Sequence, residues 1–200
     1  MSRTEQRYTR SGVLSLSIMG GVILLSGCAT LSKQECLVGN WQAIGYNDGV
    51  AGYHSERLAA HAKACAKANI TPDYSAWERG RQLGLQQYCT TNNAYNLGRR
   101  GRKLNNVCPM TAVNSLQIAN QQGLDYYTLE RQIEDDNRRL DEYQEELDRL
   151  KDGEMLDFDS EKEARKRLLY LSSEQYDIKR RIKRIQRQLD ALSQTDRPYR

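Results

Sequence analysis

Small residues at helical spacing constrain this chain more than any other feature. Trp41, Gly45, Gly49 and Tyr53 step by four, and Trp77, Gly80, Gly84 and Tyr88 step by three, four and four. Tyr95, Gly98, Gly101 and Leu104 step by three; Leu116, Ala119, Gly123 and Tyr127 step by three, four and four. Such steps put each set on one face of an α-helix. Glycine inside a helix costs about 1 kcal/mol relative to alanine, so that face must gain something to offset it. Close approach of a second backbone, or of a flat ring, gives dispersion contacts that a longer side chain would block. The pattern predicts helices packed through glycine-lined seams, with a glycine-floored groove for a lipid chain or glycan as the alternative. The intervals between sets are irregular, which excludes a solenoid of fixed period.

Punctuation residues place the helix ends. Asn40 suits the cap of a first helix, and Asn69, Ile70 and Pro72 read as its stop, with a break at Tyr46 to Gly49, "YNDG", as the alternative. Ser75-x-x-Glu78 reads as a capping box for the second helix. Thr91, Asn92 or Asn93 can cap a third helix running to about Leu104, and Pro109 suits the first turn of a fourth. Four helices are expected between residues 40 and 127.

Beyond Tyr127 the composition shifts to long charged side chains and the apolar seam becomes heptad. Leu129, Ile133, Asp136, Leu140, Tyr143, Leu147 and Leu150 form one arm. Leu168, Leu171, Gln175, Ile178, Ile182, Ile185, Leu189 and Leu192 form the other, across the interruption "KDGEMLDFDS". Residues 129–150 hold nine acids and four bases, whereas 161–192 hold five acids and ten bases. Opposite charge and a short link predict an antiparallel coiled-coil hairpin, with pairing of arms between chains into a homodimer as the alternative. Asp136 and Gln175 at seam positions favour one register over others.

The first 27 residues read as a signal peptide: Arg3, Arg7 and Arg10, then an apolar run from Val13 to Leu25 that is short for a membrane span. Leu25-Ser26-Gly27-Cys28 resembles the lipobox of a Gram-negative bacterial lipoprotein. That resemblance implies a diacylglyceryl group on Cys28, labelling by palmitate and, with Ala29 following, export to the periplasm-facing surface of the outer membrane. Cleavage leaves a net charge of about +2, which is no case for nucleic acid.

Cys36, Cys65, Cys89 and Cys108 remain, an even number in an exported chain, and read as two disulfides. If the first and third helices are continuous, they hold Cys36 from Cys65, and Cys89 from Cys108, beyond the ~7 Å Cα limit of a bridge. The expected pairs are then Cys65 with Cys108 and Cys36 with Cys89; a break at Tyr46 to Gly49 would restore Cys36 with Cys65. His61 and Cys65 have metal-ligand spacing, with His54 one heptad earlier, but no CxxC pair accompanies them. No metal site and no cofactor are expected.

"WQAIGYNDGVAGY", then His61 and Cys65, then "TPDYSAWERGRQLGLQQYC" and "NAYNLGRRGRKLNNVC" resemble the bacterial lipoprotein family catalogued as domain of unknown function 2799. The likeness covers about Cys36 to Tyr127 and implies an exported, cysteine-bearing helical domain. It brings no activity, so no catalytic residue is carried over. Trp77 stands where the family pattern suggests Tyr, and Ala119 where it suggests Gly.

The sequence therefore predicts an all-α chain. It comprises a signal peptide (1–27), a lipidated tether (28–35), a disulfide-bonded glycine-repeat domain (36–127), and a coiled-coil hairpin with a short polar tail (128–200). No nucleophile–base–acid set, phosphate loop or paired catalytic carboxylates accompany it, so an enzyme is not expected. The expected role is structural or protein-interacting in the cell envelope: membrane attachment through Cys28 and an envelope protein partner on the hairpin. The rival is a ligand-binding module, in which Arg81, Arg99, Arg100, Arg102 and Lys103 bind an anionic lipid or glycan.

Overall fold

The computed structural model describes residues 30–154 and 158–195, so Cys28 and the expected signal peptide lie outside the described residues. Seven α-helices follow one another there: α1 (Lys33–Val38), α2 (Trp41–Val50), α3 (Arg57–Cys65), α4 (Tyr74–Tyr88), α5 (Thr91–Arg99), α6 (Met110–Lys151) and α7 (Glu161–Thr195). A 3-10 turn, Ala66–Ala68, extends α3 and ends at Asn69, whose φ of 54° is left-handed. Asn40 caps α2 through the main-chain N–H of Ala43. The caps of α4 and α5 fall earlier than the sequence suggests. Asp73, not Ser75, accepts from Ala76, and Thr90 accepts from Asn93.

Helices α2 and α4 meet backbone to backbone. A Cβ on Gly45 would lie 1.9 Å from the Trp77 carbonyl oxygen, and one on Gly80 2.0 Å from that of Gln42. Gly49 and Gly84 face each other one turn further along, where a Cβ would come within 2.2 Å of the Arg81 oxygen or 2.1 Å of the Tyr46 oxygen. The glycine faces are thus closed by the opposing main chain. Gly80 also borders an open depression beside Tyr46 and Leu83.

Helices α5 and α6 repeat this arrangement. Gly98 and Gly123 stand to each other as Gly49 and Gly84 do, with Cβ positions 2.2 Å from the carbonyls of Asn120 and Tyr95. In both units a glycine of positive φ just beyond the first helix turns the chain under a tyrosine ring: Gly52 (72°) beneath Tyr88, and Gly101 (70°) beneath Tyr127. A polar side chain of the second helix then reaches back to the turning strand. Arg81 donates to the Tyr53 carbonyl, and Asn120 to that of Arg102. The domain holds one packing unit twice, with Ala94 and Ala119 buried in the second.

These two reversals overturn the expected cysteine pairing. The first helix does not run to Ala68, nor does it break at Tyr46 to Gly49; it ends at Val50, and α3 begins only at Arg57 after the turn at Gly52. The third ends at Arg99 rather than Leu104. Each chain reversal brings sequence-adjacent cysteines together, so the bridges are Cys36–Cys65 and Cys89–Cys108, with Cα separations of 5.5 and 5.6 Å. The first lies in a core of Leu31, Cys36, Trp41, Cys65 and Trp77, and the second borders clusters around Leu85, Tyr88 and Leu97 and around Tyr95 and Leu116.

The fourth glycine helix and the first coiled-coil arm are a single helix, α6. No linker separates the expected domains at residue 127. Helix α7 returns along α6, burying Leu171, Ile178, Ile182 and Ile185 in the heptad seam. Asp136 is buried there and accepts both a 2.6 Å bond from Arg181 Nε and a 2.5 Å bond from its terminal nitrogen. Gln175 donates to Gln144 at 3.4 Å. These polar seam residues fix the register as their positions suggested.

Candidate functional site

A buried polar cluster ties four segments together at the point where the described chain begins. Asp48 of α2 is buried, and its Oδ2 accepts from the Trp77 indole N–H of α4 at 2.8 Å and pairs with His61 Nε2 of α3 at 2.7 Å. The other ring nitrogen, Nδ1, lies 2.8 Å from the Thr30 hydroxyl. With a proton on Nε2 the ring donates to Asp48, and Nδ1 is within hydrogen-bond reach of the Thr30 hydroxyl, which can donate or accept. Arg57 Nε stands 3.6 Å from Asp48 Oδ1, and its guanidinium lies over the Tyr53 ring at 4.3 Å. Buried carboxylates persist where charge and donors surround them, and Asp48 has both.

Helical periodicity puts Asp48 on the glycine face, three residues after Gly45 and seven after Trp41. That was the available signal, hidden because "YNDG" reads equally as a turn. The cluster also settles the chemistry of the His61–Cys65 pair: the cysteine sulfur is in a disulfide, and both imidazole nitrogens are engaged within the protein. An acid–histidine–hydroxyl chain is the hydrogen-bond order of serine hydrolases. Here the aspartate oxygen is shared with a buried indole. The cluster lines neither the depression beside the Cys89–Cys108 bridge, bounded by Leu85 and Val107, nor the one bounded by Tyr46 and Leu83. Its geometry makes a structural lock that fixes Thr30 and, beside it, the buried Leu31. The expected tether is therefore folded from residue 30 onward, with Ser32 capping α1.

The cationic residues fall into two groups. Arg81 is buried, with Nε and a terminal nitrogen on the Glu78 carboxylate at 2.7 and 2.8 Å and its guanidinium 5.5 Å from the Trp77 ring. These bonds raise the Arg81 pKa and lower that of Glu78. Arg99 stacks on Tyr126 at 3.5 Å and reaches Tyr95 and Glu130 at 3.3 and 3.4 Å. Both are committed to internal partners. Arg100, Arg102 and Lys103 are exposed around the Gly101 turn, and no ion pair within 4 Å involves them among the described residues.

The hairpin carries exposed charge on both of its helices. Lys179, Arg180, Lys183, Arg184 and Arg187 of α7 are exposed, and an open depression runs beside Arg180, Arg184 and Arg187. On α6, Asp141, Glu142 and Glu145 are exposed. None of these eight residues makes an ion pair among the described residues.

Residues 40–125 match the model of a family described as a protein of unknown function, DUF2799. The match spans both packing units and ends inside α6, before the hairpin. No curated protein and no solved structure matches the chain.

Proposed function

We propose, from the match of residues 40–125 to the DUF2799 family model, that the chain is a non-enzymatic lipoprotein with a structural or protein-interaction role in the bacterial envelope. In this reading Cys28 carries the lipid, the protein sits on the periplasmic face of the outer membrane, and the hairpin is its contact arm. The observation that carries the proposal is the continuity of α6. Its 42 residues, about 63 Å at 1.5 Å per residue, run from the glycine-packed domain into the hairpin without a linker. A rigid base with a projecting arm suits presentation of a surface better than enclosure of a substrate. The anchor fits the same geometry. Thr30 is held by His61 and Leu31 is buried, so at most about 7 Å of chain separates Cys28 from the fold, and an anchored domain would rest against the bilayer.

Two experiments test the two halves of this reading. Cells expressing the wild type should incorporate labelled palmitate into the protein, whereas Cys28→Ala should not; an unlabelled but membrane-bound wild type refutes the anchor. Deleting residues 129–200 should abolish the capture of envelope proteins by in-cell crosslinking while leaving both disulfides formed. Undiminished capture without the hairpin refutes the arm.

A further inference from the structure

The seam of the hairpin leaves one flank whose two helices carry opposite charge. On α7, Leu169, Tyr176, Lys183 and Asp190 recur at intervals of seven, flanked on the same side by Lys179; all five are exposed, and the two lysines lie together ahead of the terminal Asp190. Leu169 and Tyr176, just outside the seam, are 73% and 61% accessible and leave apolar surface for a second molecule to cover. On α6 the matching flank carries Glu134, Asp141 and Asp148, again at intervals of seven; Glu134 pairs along its own helix with Arg131 at 2.7 Å and Asp148 with Lys151 at 3.9 Å, both exposed pairs that a second copy can exchange. The register is set by Asp136 with Arg181 and by Gln144 with Gln175. Lys183 therefore stands level with Glu134, and Lys179 within a turn of Asp141. Within one hairpin these rows lie side by side on one flank, each facing outward.

We propose that this flank binds a second copy of the same chain. A two-fold axis along the hairpin lays the acidic row of each copy over the basic row of the other at the same level: Glu134 against Lys183 and Asp141 against Lys179, twice over. Leu169 and Tyr176 are covered in the same movement. The product is a four-helix bundle in which every neighbouring pair of helices is antiparallel, with an isologous, closed interface. Both hairpins point the same way, which two copies anchored in one membrane require. An acidic partner of unrelated sequence would satisfy the α7 row alone, whereas a second copy satisfies both rows. The opposite flank holds mixed charges on each helix, including the pair Arg167–Glu146, and offers no such segregation. The inference gives the arm of the proposed function a partner, and rests on that reading only for the shared direction of the anchors.

The test uses the full-length protein purified in detergent from whole-cell lysate, with light scattering that separates protein mass from detergent mass. The wild type should be a dimer whose dissociation constant rises about tenfold between 0.05 and 0.5 M NaCl, as salt screens exposed pairs. Lys179→Glu with Lys183→Glu should weaken the dimer by tenfold or more, and adding Glu134→Lys with Asp141→Lys should return it to within about threefold of the wild type. All four sites are exposed, so helicity by circular dichroism should be equal throughout and separates misfolding from dissociation. A wild type monomeric at every concentration overturns the proposal, as does a dimer indifferent to the α7 reversal or not rescued by the α6 reversal. Vesicles of anionic phosphatidylglycerol supply the remaining arm: reversal of the lysines that abolishes vesicle binding while leaving the mass unchanged assigns the basic row to lipid and overturns the dimer. None of these readouts depends on lipidation at Cys28.

Discussion

Gly84→Ala adds one methyl group, and the structure sets what that methyl meets. Its Cβ would lie 2.1 Å from the Tyr46 carbonyl oxygen, 2.7 Å from the Val50 nitrogen and 2.9 Å from the Gly49 Cα, all main-chain atoms of α2. Ordinary contact begins near 3.4 Å, so α2 must withdraw by about 1.3 Å. No side-chain rotation can absorb this. Withdrawal opens the whole seam, including the approaches at Gly45, Gly49 and Gly80, and draws Asp48 away from the Trp77 indole it bonds at 2.8 Å. Overpacking costs about 1–3 kcal/mol, and a weakened buried hydrogen bond adds about 1 kcal/mol. Alanine returns about 1 kcal/mol of helix propensity. The net loss is about 2 kcal/mol, or roughly 8–16 °C in Tm for a domain of this size. Trp41 and Trp77 are the two tryptophans of the chain, and both lie in the core this seam closes. Thermal unfolding followed by tryptophan fluorescence therefore reads this unit within the intact protein. A variant whose Tm equals or exceeds the wild type refutes backbone contact as the reason for the glycines.

The other predictions concern cross-links, the lock and pH. Non-reducing peptide mapping should return Cys36–Cys65 and Cys89–Cys108; with sequence separations of 29 and 19, reduction of each should cost about 3 kcal/mol, seen as a lower denaturant midpoint. Asp48→Ala leaves the Trp77 and His61 donors buried without an acceptor and should destabilise the domain by about 2–4 kcal/mol, whereas Asp48→Asn keeps one acceptor oxygen and should cost less. The Arg167 hydrogen bonds hold the Glu146 carboxyl below its usual range. That pair stabilises the hairpin fully above the unfolded carboxylate pKa of about 4.3 and is lost as pH falls through the lower folded value. Helical ellipticity of the hairpin should melt at a nearly constant temperature from pH 7 to about 5 and lower below about 4. Glu146→Gln should flatten that acid limb.

Periodicity was legible because it is local. The three- and four-residue steps identify α2, α4, α5 and α6 and their seams, and the heptads identify the hairpin and its register residues. Reversal points were harder to read. Gly101 reads as a member of a glycine set and Gly52 is not singled out, yet their positive φ takes Leu104 and Tyr53 out of the helices, and a φ angle leaves no periodic trace. The disulfide expectation failed through that same cause, since it rested on helix continuity. Asp48 was missed for another reason. A buried carboxylate is decided by partners such as His61 and Trp77, 13 and 29 residues away, and their convergence belongs to the tertiary fold. Arg81 and Arg99 share this: their charges show in sequence, but their commitment to Glu78, Glu130 and the aromatic rings does not.

The central claim is that the hairpin on its unbroken α6 is the contact surface of an envelope protein. Photo-crosslinking in living cells tests it most directly, with a photoreactive residue placed singly at Tyr176, Arg184 and Glu142 on the hairpin and at Arg100 and Lys103 on the domain. The account predicts discrete adducts from the hairpin positions, identified by mass spectrometry as a second copy of this chain or an envelope protein, and no comparable adduct from the domain. Adducts confined to Arg100 and Lys103, with the hairpin silent, would contradict it and make the exposed cations of the Gly101 turn the working surface instead.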